Sequence, residues 1–379
     1  MYILAIETSC DETAAAVLEV SRGRFNLLSN IVSSQIKIHA KYGGIVPEVA
    51  ARKQMEMIIP VIEKACQMSN VKCQMLDYIA VTQGPGLITS LTVGVETAKS
   101  LAFALNKPLI AVNHLAGHLL VNYLNIQTAF RWSGKSKTAK YLIDPPKGSM
   151  KYPIYPAVGL IVSGGHTMLV LMSSPTKFKI IGATVDDAVG EAYDKVAKIL
   201  NLGYPGGPVI SKLSLKGNPN KFNLPRPMIS QNNFNFSFSG LKTAVLYLTQ
   251  KHKNIKAKKH LLDICASFDQ ACVDVLTSKT LRAIKKYKPR SFLLGGGVAA
   301  NPKLRTELKE KISRKFPDIK IFIPDLKFTG DNAAMIAVAA YFIIKTQKTK
   351  KSRRKVGIPI KASGHKNTLN LKADPTLTL

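Results

Sequence analysis

Ala157-Val158-Gly159-Leu160-Ile161-Val162 runs into Ser163-Gly164-Gly165-His166-Thr167 and then into a second apolar run, Met168–Met172. The order is strand, glycine turn, returning strand. The chain has used this plan once before. Tyr2–Glu7 is apolar up to its last residue, Thr8-Ser9-Cys10-Asp11-Glu12-Thr13 is a turn of hydroxyls and acids, and Ala14–Val20 is apolar again. Two copies of one plan predict an internal duplication, and the helical periodicity between and after them makes the class α/β.

Later segments extend both copies. Asp77–Val81 reads as a strand ending in Gln83-Gly84-Pro85-Gly86-Leu87, with a long apolar helix from Ile88 to Leu105. In the second half Ser291–Leu294 leads through Gly295-Gly296-Gly297 to Asn301 and another helix. A glycine turn between a strand and a helix N-terminus offers backbone N–H groups to an anion. The Thr8–Thr13 turn is read either as an ordinary solvated turn or as a grip on a phosphate or its metal. Asn235–Lys242 interleaves aromatics with hydroxyls, which suits base stacking and period-2 strand packing about equally.

A further strand of the first half, Leu109–Val112, feeds His114-Leu115-Ala116-Gly117-His118. Histidines four apart on a helix share a face and can share an ion. Thr329-Gly330-Asp331-Asn332 places a carboxylate at the start of a second apolar helix, where a third ligand could be presented. Two histidines and one carboxylate leave open positions and favour Fe(II), while tolerating Zn or Mn. Leu115 and Ala116 stand where a zinc peptidase would need its glutamate, which excludes that class.

The 379 residues, 46% hydrophobic, suffice for two lobes. The expected division is 1–124 as a first lobe, 125–153 as a basic insertion, 154–344 as a second lobe whose last helix could pack back on the first, and 345–379 as a basic, disordered tail. Five cysteines without CxxC spacing suit a reducing compartment and exclude a disulfide framework. The longest apolar run, Met335–Ile344, falls short of the ~20 residues a bilayer needs. No charged-then-apolar leader precedes the first strand, so a cytoplasmic location without membrane attachment is expected. A net charge of +31 invites a polyanion such as RNA, although a lysine-heavy composition also follows from A-rich coding.

Duplicated lobes of this kind resemble the actin-like ATPases, in which two hairpin turns grip phosphates across a central cleft. The likeness sharpens when the motifs are read in order. They are Ile6–Thr13, His39–Glu48, Gly84–Leu87, the His114/His118 pair, Val162–Thr167, Asp194, Tyr204–Pro208, Phe236–Thr243, Gly295–Asn301 and Asp331-Asn332. Together they resemble the TsaD family of tRNA N6-adenosine threonylcarbamoyltransferases, from about Met1 to Ile344.

That resemblance implies a duplicated actin-like (ASKHA) fold. It implies transfer of a threonylcarbamoyl group from threonylcarbamoyl-AMP to the exocyclic amine of the adenosine 3′ of the anticodon, in tRNAs reading codons that begin with A, with release of AMP. It assigns one divalent metal to His114, His118 and Asp331, and the substrate adenylate to Ile161, Val162, Ser163, Gly164, Gly165, Asp194, Gly207 and Asn301. Asp11 and Glu12 match acids the family needs for catalysis. The implied partners are tRNA and either a TsaB-like paralogue with a TsaE-like ATPase or a second copy of the chain. The competing reading is an ATPase or kinase of the same fold without carbamoyl transfer.

Overall fold

The computed structural model describes residues 1–124, 152–251, 258–353 and 370–379. The basic stretch 125–151, with Trp132, and residues 354–369 of the expected tail lie outside the described residues.

The chain opens with strands β1 (Tyr2–Glu7), β2 (Glu12–Ser21) and β3 (Arg24–Ser34). A single turn α1 (Ile36–His39) precedes helix α2 (Pro47–Ser69), which has Pro at its first position and Glu48 in its first turn. Then come β4 (Tyr78–Gly84), α3 (Ile88–Ala104), β5 (Leu109–Asn113) and α4 (His114–Leu120). The sheet order is β3-β2-β1-β4-β5, with β1 antiparallel to β2 and parallel to β4.

The second set repeats that order. It comprises β6 (Ala157–Val162), β7 (Thr167–Ser174), β8 (Lys177–Ala183), α5 (Val189–Ile199), α6 (Gly206–Ser214), α7 (Ser239–Lys251), α8 (Lys258–Tyr287), β9 (Ser291–Gly295), α9 (Pro302–Lys315) and β10 (Lys320–Phe322). Its sheet runs β10-β9-β6-β7-β8, again with a hairpin on one side of the lead strand and a parallel pair on the other. The two sheets therefore share one topology, the duplicated actin-like ATPase fold. β6 is buried at every residue because it is the middle strand of its sheet.

The last helix, α10 (Ala333–Arg353), packs against β1, β2, β5 and α4. The two compact units are accordingly Met1–Gln35 with Val46–Tyr152 and Gly330–Leu379, and Ile36–Ile45 with Pro153–Thr329. The C-terminal helix thus belongs to the first unit, with its apolar first turns, Ala333–Ala340, buried. The expected tail needs correction. Residues 345–353 continue α10, and in 370–379 Leu371 and Ala373 pack on the core of the first unit. Asp374 N–H donates to Gln83 O at 2.8 Å, and Gln83 Nε2 donates to Lys372 O at 3.2 Å.

Each unit has its own apolar core. Leu4, Ile6, Val17, Ile58, Val61, Ile79 and Val95 form the first. The second is built around Leu160, Val196, Phe236, Phe238, Phe268 and Leu294. Phe236 and Phe238 are fully buried, so their period-2 spacing serves packing rather than base stacking. Each buried side chain of this size contributes ~1.5–3 kcal/mol. An exposed pair such as Arg52–Glu48 contributes at most ~1 kcal/mol, so the many surface charges do not hold the fold together.

Candidate functional site

In the first unit β5 ends on Asn113, whose side chain accepts from Leu115 N–H (2.9 Å) and Ala116 N–H (3.1 Å) and so starts α4. All seven residues of α4 are buried. Gly117 lets α10 lie close, since a Cβ there would sit 3.1 Å from Ile336 and Met335 side-chain atoms. α10 is started in turn by Asn332, which accepts from Met335 N–H at 3.1 Å. The residue just before that cap is Asp331.

This packing brings His114, His118 and Asp331 together, with one donor atom from each lying within 4.8 Å of the others. Asp331 Oδ1 is 3.2 Å from His118 Nε2 and 3.6 Å from His114 Nε2. Neither His118 nitrogen has a hydrogen-bond partner among the described residues, although both are buried. An unsatisfied buried polar group costs ~1–3 kcal/mol. A cation between Asp331 and His118 Nε2 would satisfy that nitrogen, and two imidazoles with one carboxylate form a donor set that divalent transition metals accept. The residues fit a metal ion.

Glu7, which sequence reasoning left as the end of an apolar strand, stands behind His114. It is fully buried, accepts from Ser9 N–H at 2.5 Å and from the Thr82 hydroxyl, and lies 3.2 Å from His114 Nδ1. Ser9 Oγ is 3.1 Å from the same nitrogen. Burial pulls the His114 imidazole down, but the carboxylates of Glu7 and Asp331 outweigh it and lift the ring to about 9 in the metal-free chain. The available signal was a lone carboxylate closing an otherwise apolar strand.

Asp11 and Glu12 lie in the same unit. Gln54, buried on α2, donates to Cys10 O (2.9 Å) and Glu12 O (3.1 Å) and thereby pins the turn. Gln35 N–H donates to Asp11 O at 3.2 Å. Gly86 makes room for this turn, since a Cβ there would meet Ser9 O at 2.3 Å. Burial, and then the negative charge of Asp11, pushes Glu12 up to about 8, with Asp331 adding to the shift and a 2.7 Å hydrogen bond from Ser34 opposing it. Burial followed by Asp11 and Asp331 also holds the Cys10 thiol well above its ordinary range. Both acids therefore share one electrostatic neighbourhood with the metal cluster.

In the second unit the glycine turn is tied to α5. Gly190 N–H donates to Ser163 O and Glu191 N–H to Gly164 O, each at 3.2 Å. Ile161 and Val162 are buried strand residues, Ser163 Oγ accepts from His166 N–H at 3.1 Å, and Gly164 and Gly165 are exposed. Asp194 Oδ1 accepts from Gly206 N–H at 2.7 Å, which fixes the loop carrying Gly207. Asn301 donates to Asp269 Oδ1 (2.7 Å) and to Tyr193 Oη (3.2 Å), and accepts from Leu304 N–H (3.1 Å). Its amide hydrogens are already engaged, so its side chain shapes the turn more than it reaches outward. α5 thus joins all three places through Gly190, Tyr193 and Asp194. The structure therefore gathers Asp11, Glu12, His114, His118 and Asp331 in one unit, and Ile161–Gly165, Asp194, Gly207 and Asn301 in the other.

Among the described residues no helix is long and apolar enough to cross a membrane. The family model described as TsaD, tRNA N6-adenosine threonylcarbamoyltransferase, matches residues 26–142 and 137–338. A relative from Thermosipho africanus with that same name is 48% identical over 347 residues, covering 91% of this chain and 95% of its own. One from Geobacillus kaustophilus is 44% identical over 379 residues, covering 100% and 97% respectively. Among solved structures, full-length HypF in its phosphate- and nucleotide-bound form aligns with a TM-score of 0.55 at 13% identity, over 91% of this chain and 46% of that one, a likeness of fold alone. The chain is a transferase that belongs to the TsaD family of tRNA N6-adenosine threonylcarbamoyltransferases.

Proposed function

We propose that this chain transfers the threonylcarbamoyl group of threonylcarbamoyl-AMP to N6 of the adenosine 3′ of the anticodon, in tRNAs that read codons beginning with A. The observation that carries this reading is the cluster of buried His114 and His118 with the half-buried Asp331, in one unit with Asp11 and Glu12. A hydrolysing ATPase or kinase of this fold has no need of a protein-held His/His/Asp centre.

The substrate is a mixed carbamic–phosphoric anhydride and is already activated. The protein therefore need not supply a covalent nucleophile and acts by orientation and charge. N6 forms a bond to the carbamoyl carbon, the bond from that carbon to the phosphate oxygen breaks, and AMP departs. His114, His118 and Asp331 hold the divalent ion, Fe(II) by preference with Zn or Mn tolerated. Bound there, it supplies Lewis-acid polarisation of the carbamoyl carbonyl. Ser163, Gly164 and Gly165 present their turn to the adenylate at the end of the strand that closes with Ile161 and Val162, and Asp194, Gly207 and Asn301 complete the adenylate site, Asp194 fixing the Gly207 loop through Gly206 N–H. Asp11 takes the proton that N6 loses, directly or through water, with Glu12 beside it. Cytoplasmic tRNA is the acceptor, and the protein partners are a TsaB-like paralogue with a TsaE-like ATPase, or a second copy of this chain.

One reconstitution tests the reading. Purified chain is loaded with Fe(II), Zn(II) or Mn(II), then mixed with threonylcarbamoyl-AMP and tRNA, with and without the candidate partners. The expected result is modified adenosine and stoichiometric AMP, abolished by His118→Ala and lowered at least ~100-fold by Asp11→Ala. ATP turnover without any transfer to tRNA would overturn it.

A further inference from the structure

We propose that Glu7 is a positioning residue for the ion, fixing which nitrogen of His114 is offered to it; this rests on the metal reading above. Glu7 sits at the end of β1 with no exposed surface. Its Oε1 takes the Ser9 N–H at 2.5 Å, and its Oε2 takes the Thr82 hydroxyl. A backbone N–H can only donate, so the carboxyl group faces its surroundings as an acceptor. Among the described residues, the other polar neighbour of Oε2 is His114 Nδ1, at 3.2 Å. That contact is favourable only if Nδ1 carries the hydrogen. Nε2 is then left with its lone pair, and Nε2 is the nitrogen on the Asp331 side, 3.6 Å from Oδ1. Ser9 Oγ, 3.1 Å from Nδ1, can accept from the same hydrogen.

Charge leads to the same assignment. A fully buried carboxylate needs a compensating cation, yet among the described residues no lysine or arginine pairs with Glu7. Glu7 and Asp331 together match the charge of one divalent ion, with His114 relaying between Glu7 and that ion. A carboxylate behind a ligating imidazole typically governs metal affinity by ~10–100-fold. Gln is the decisive replacement. It keeps the volume but turns one of the two acceptor oxygens into an NH2 group facing other donors.

The test is metal affinity, measured by chelator competition with Zn(II) and Co(II) on the native chain and on Glu7→Gln, alongside thermal melts of both in metal-free form. Glu7→Gln is expected to bind either ion ~10–100-fold more weakly. Thr82→Val, which removes a different hydrogen bond from the same carboxyl group, is expected to stay within about threefold, well under that second-shell range. Equal affinity of Glu7→Gln and native chain overturns the proposal, as does equal weakening in the Thr82 variant. A second measurement needs no variant: nitrogen-15 NMR of histidines in the Zn(II)-loaded native chain should show His114 protonated at Nδ1 and ligating through Nε2. Ligation through Nδ1 overturns the proposal even if Glu7→Gln fails to fold. A native chain that takes up neither ion would defeat the metal reading first, and this inference with it.

Discussion

Glu12 and His114 hold their protons more tightly in the folded, metal-free chain than in an unfolded one. Glu12 rises from 4.5 to about 8 by burial and by the charge of Asp11. His114 rises from 6.5 to about 9, because Glu7 and Asp331 outweigh the burial that would lower it. A folded state that binds more protons loses stability as pH rises. The Glu12 contribution is complete below pH 4.5 and gone once pH passes about 8; that of His114 is complete below 6.5 and gone beyond about 9. The melting temperature of the metal-free chain is therefore expected to fall between pH 6.5 and 9. Glu12→Gln should flatten the part of that fall below pH 8. A melting temperature that climbs with pH over this window would contradict the assignment. Metal uptake should also release protons, because the ligating imidazole of His114 must give up its extra one.

Two close approaches at the scale of elements invite tests. Gly190, the second residue of α5, lies against the turn between β6 and β7, and a Cβ there would lie 2.5 Å from Ser163 O. That clash is with backbone, so it cannot be relieved by rotating a side chain. Gly190→Ala should cost ~1–3 kcal/mol of stability and weaken adenylate binding, read by calorimetry with AMP. The N-terminus of α4 depends on Asn113, which caps the helix and also donates to Thr378 O at 3.1 Å. Asn113→Ala should cost ~1 kcal/mol through the lost cap. Deleting residues 370–379 should lower the melting temperature as well, because Leu371 and Ala373 leave the core and Asp374 releases Gln83. A truncated chain that melts with the native one would show that this segment adds nothing to the first unit.

On the scale of the whole molecule the dominant property is the +31 charge. Phosphate contacts release counterions, so binding to tRNA should weaken steeply with salt. Four phosphates held by Lys or Arg correspond to a loss of about 10²-fold between 50 and 200 mM salt. Binding of AMP alone should change far less. A tRNA affinity that is flat over this range would mean that the basic excess is compositional and not an RNA surface.

Much of this architecture was legible in the sequence, because the signals were local. Strand–turn–strand plans at Tyr2–Val20 and Ala157–Met172 predicted the duplication, and the two sheets share one order. β3 went unread because it is an outer strand, where Asn26, Ser29 and Asn30 blur the alternation that marks a half-buried strand. The spacing of His114 and His118 showed that they share a helical face, and the place of Asp331 at a helix start offered a third ligand, which the resemblance to a family also assigned. Only tertiary packing could set α10 against α4 and bring that carboxylate to the imidazoles across more than two hundred residues of chain. Likewise, nothing in the order of residues announced that Glu7 would be buried behind His114, since a carboxylate ending a strand looks the same whether it meets water or a ring nitrogen. Periodicity and turn chemistry are local properties of a chain and can be read along it. Which distant groups share a buried pocket is decided by packing, where a charge survives only beside the partner that the fold delivers.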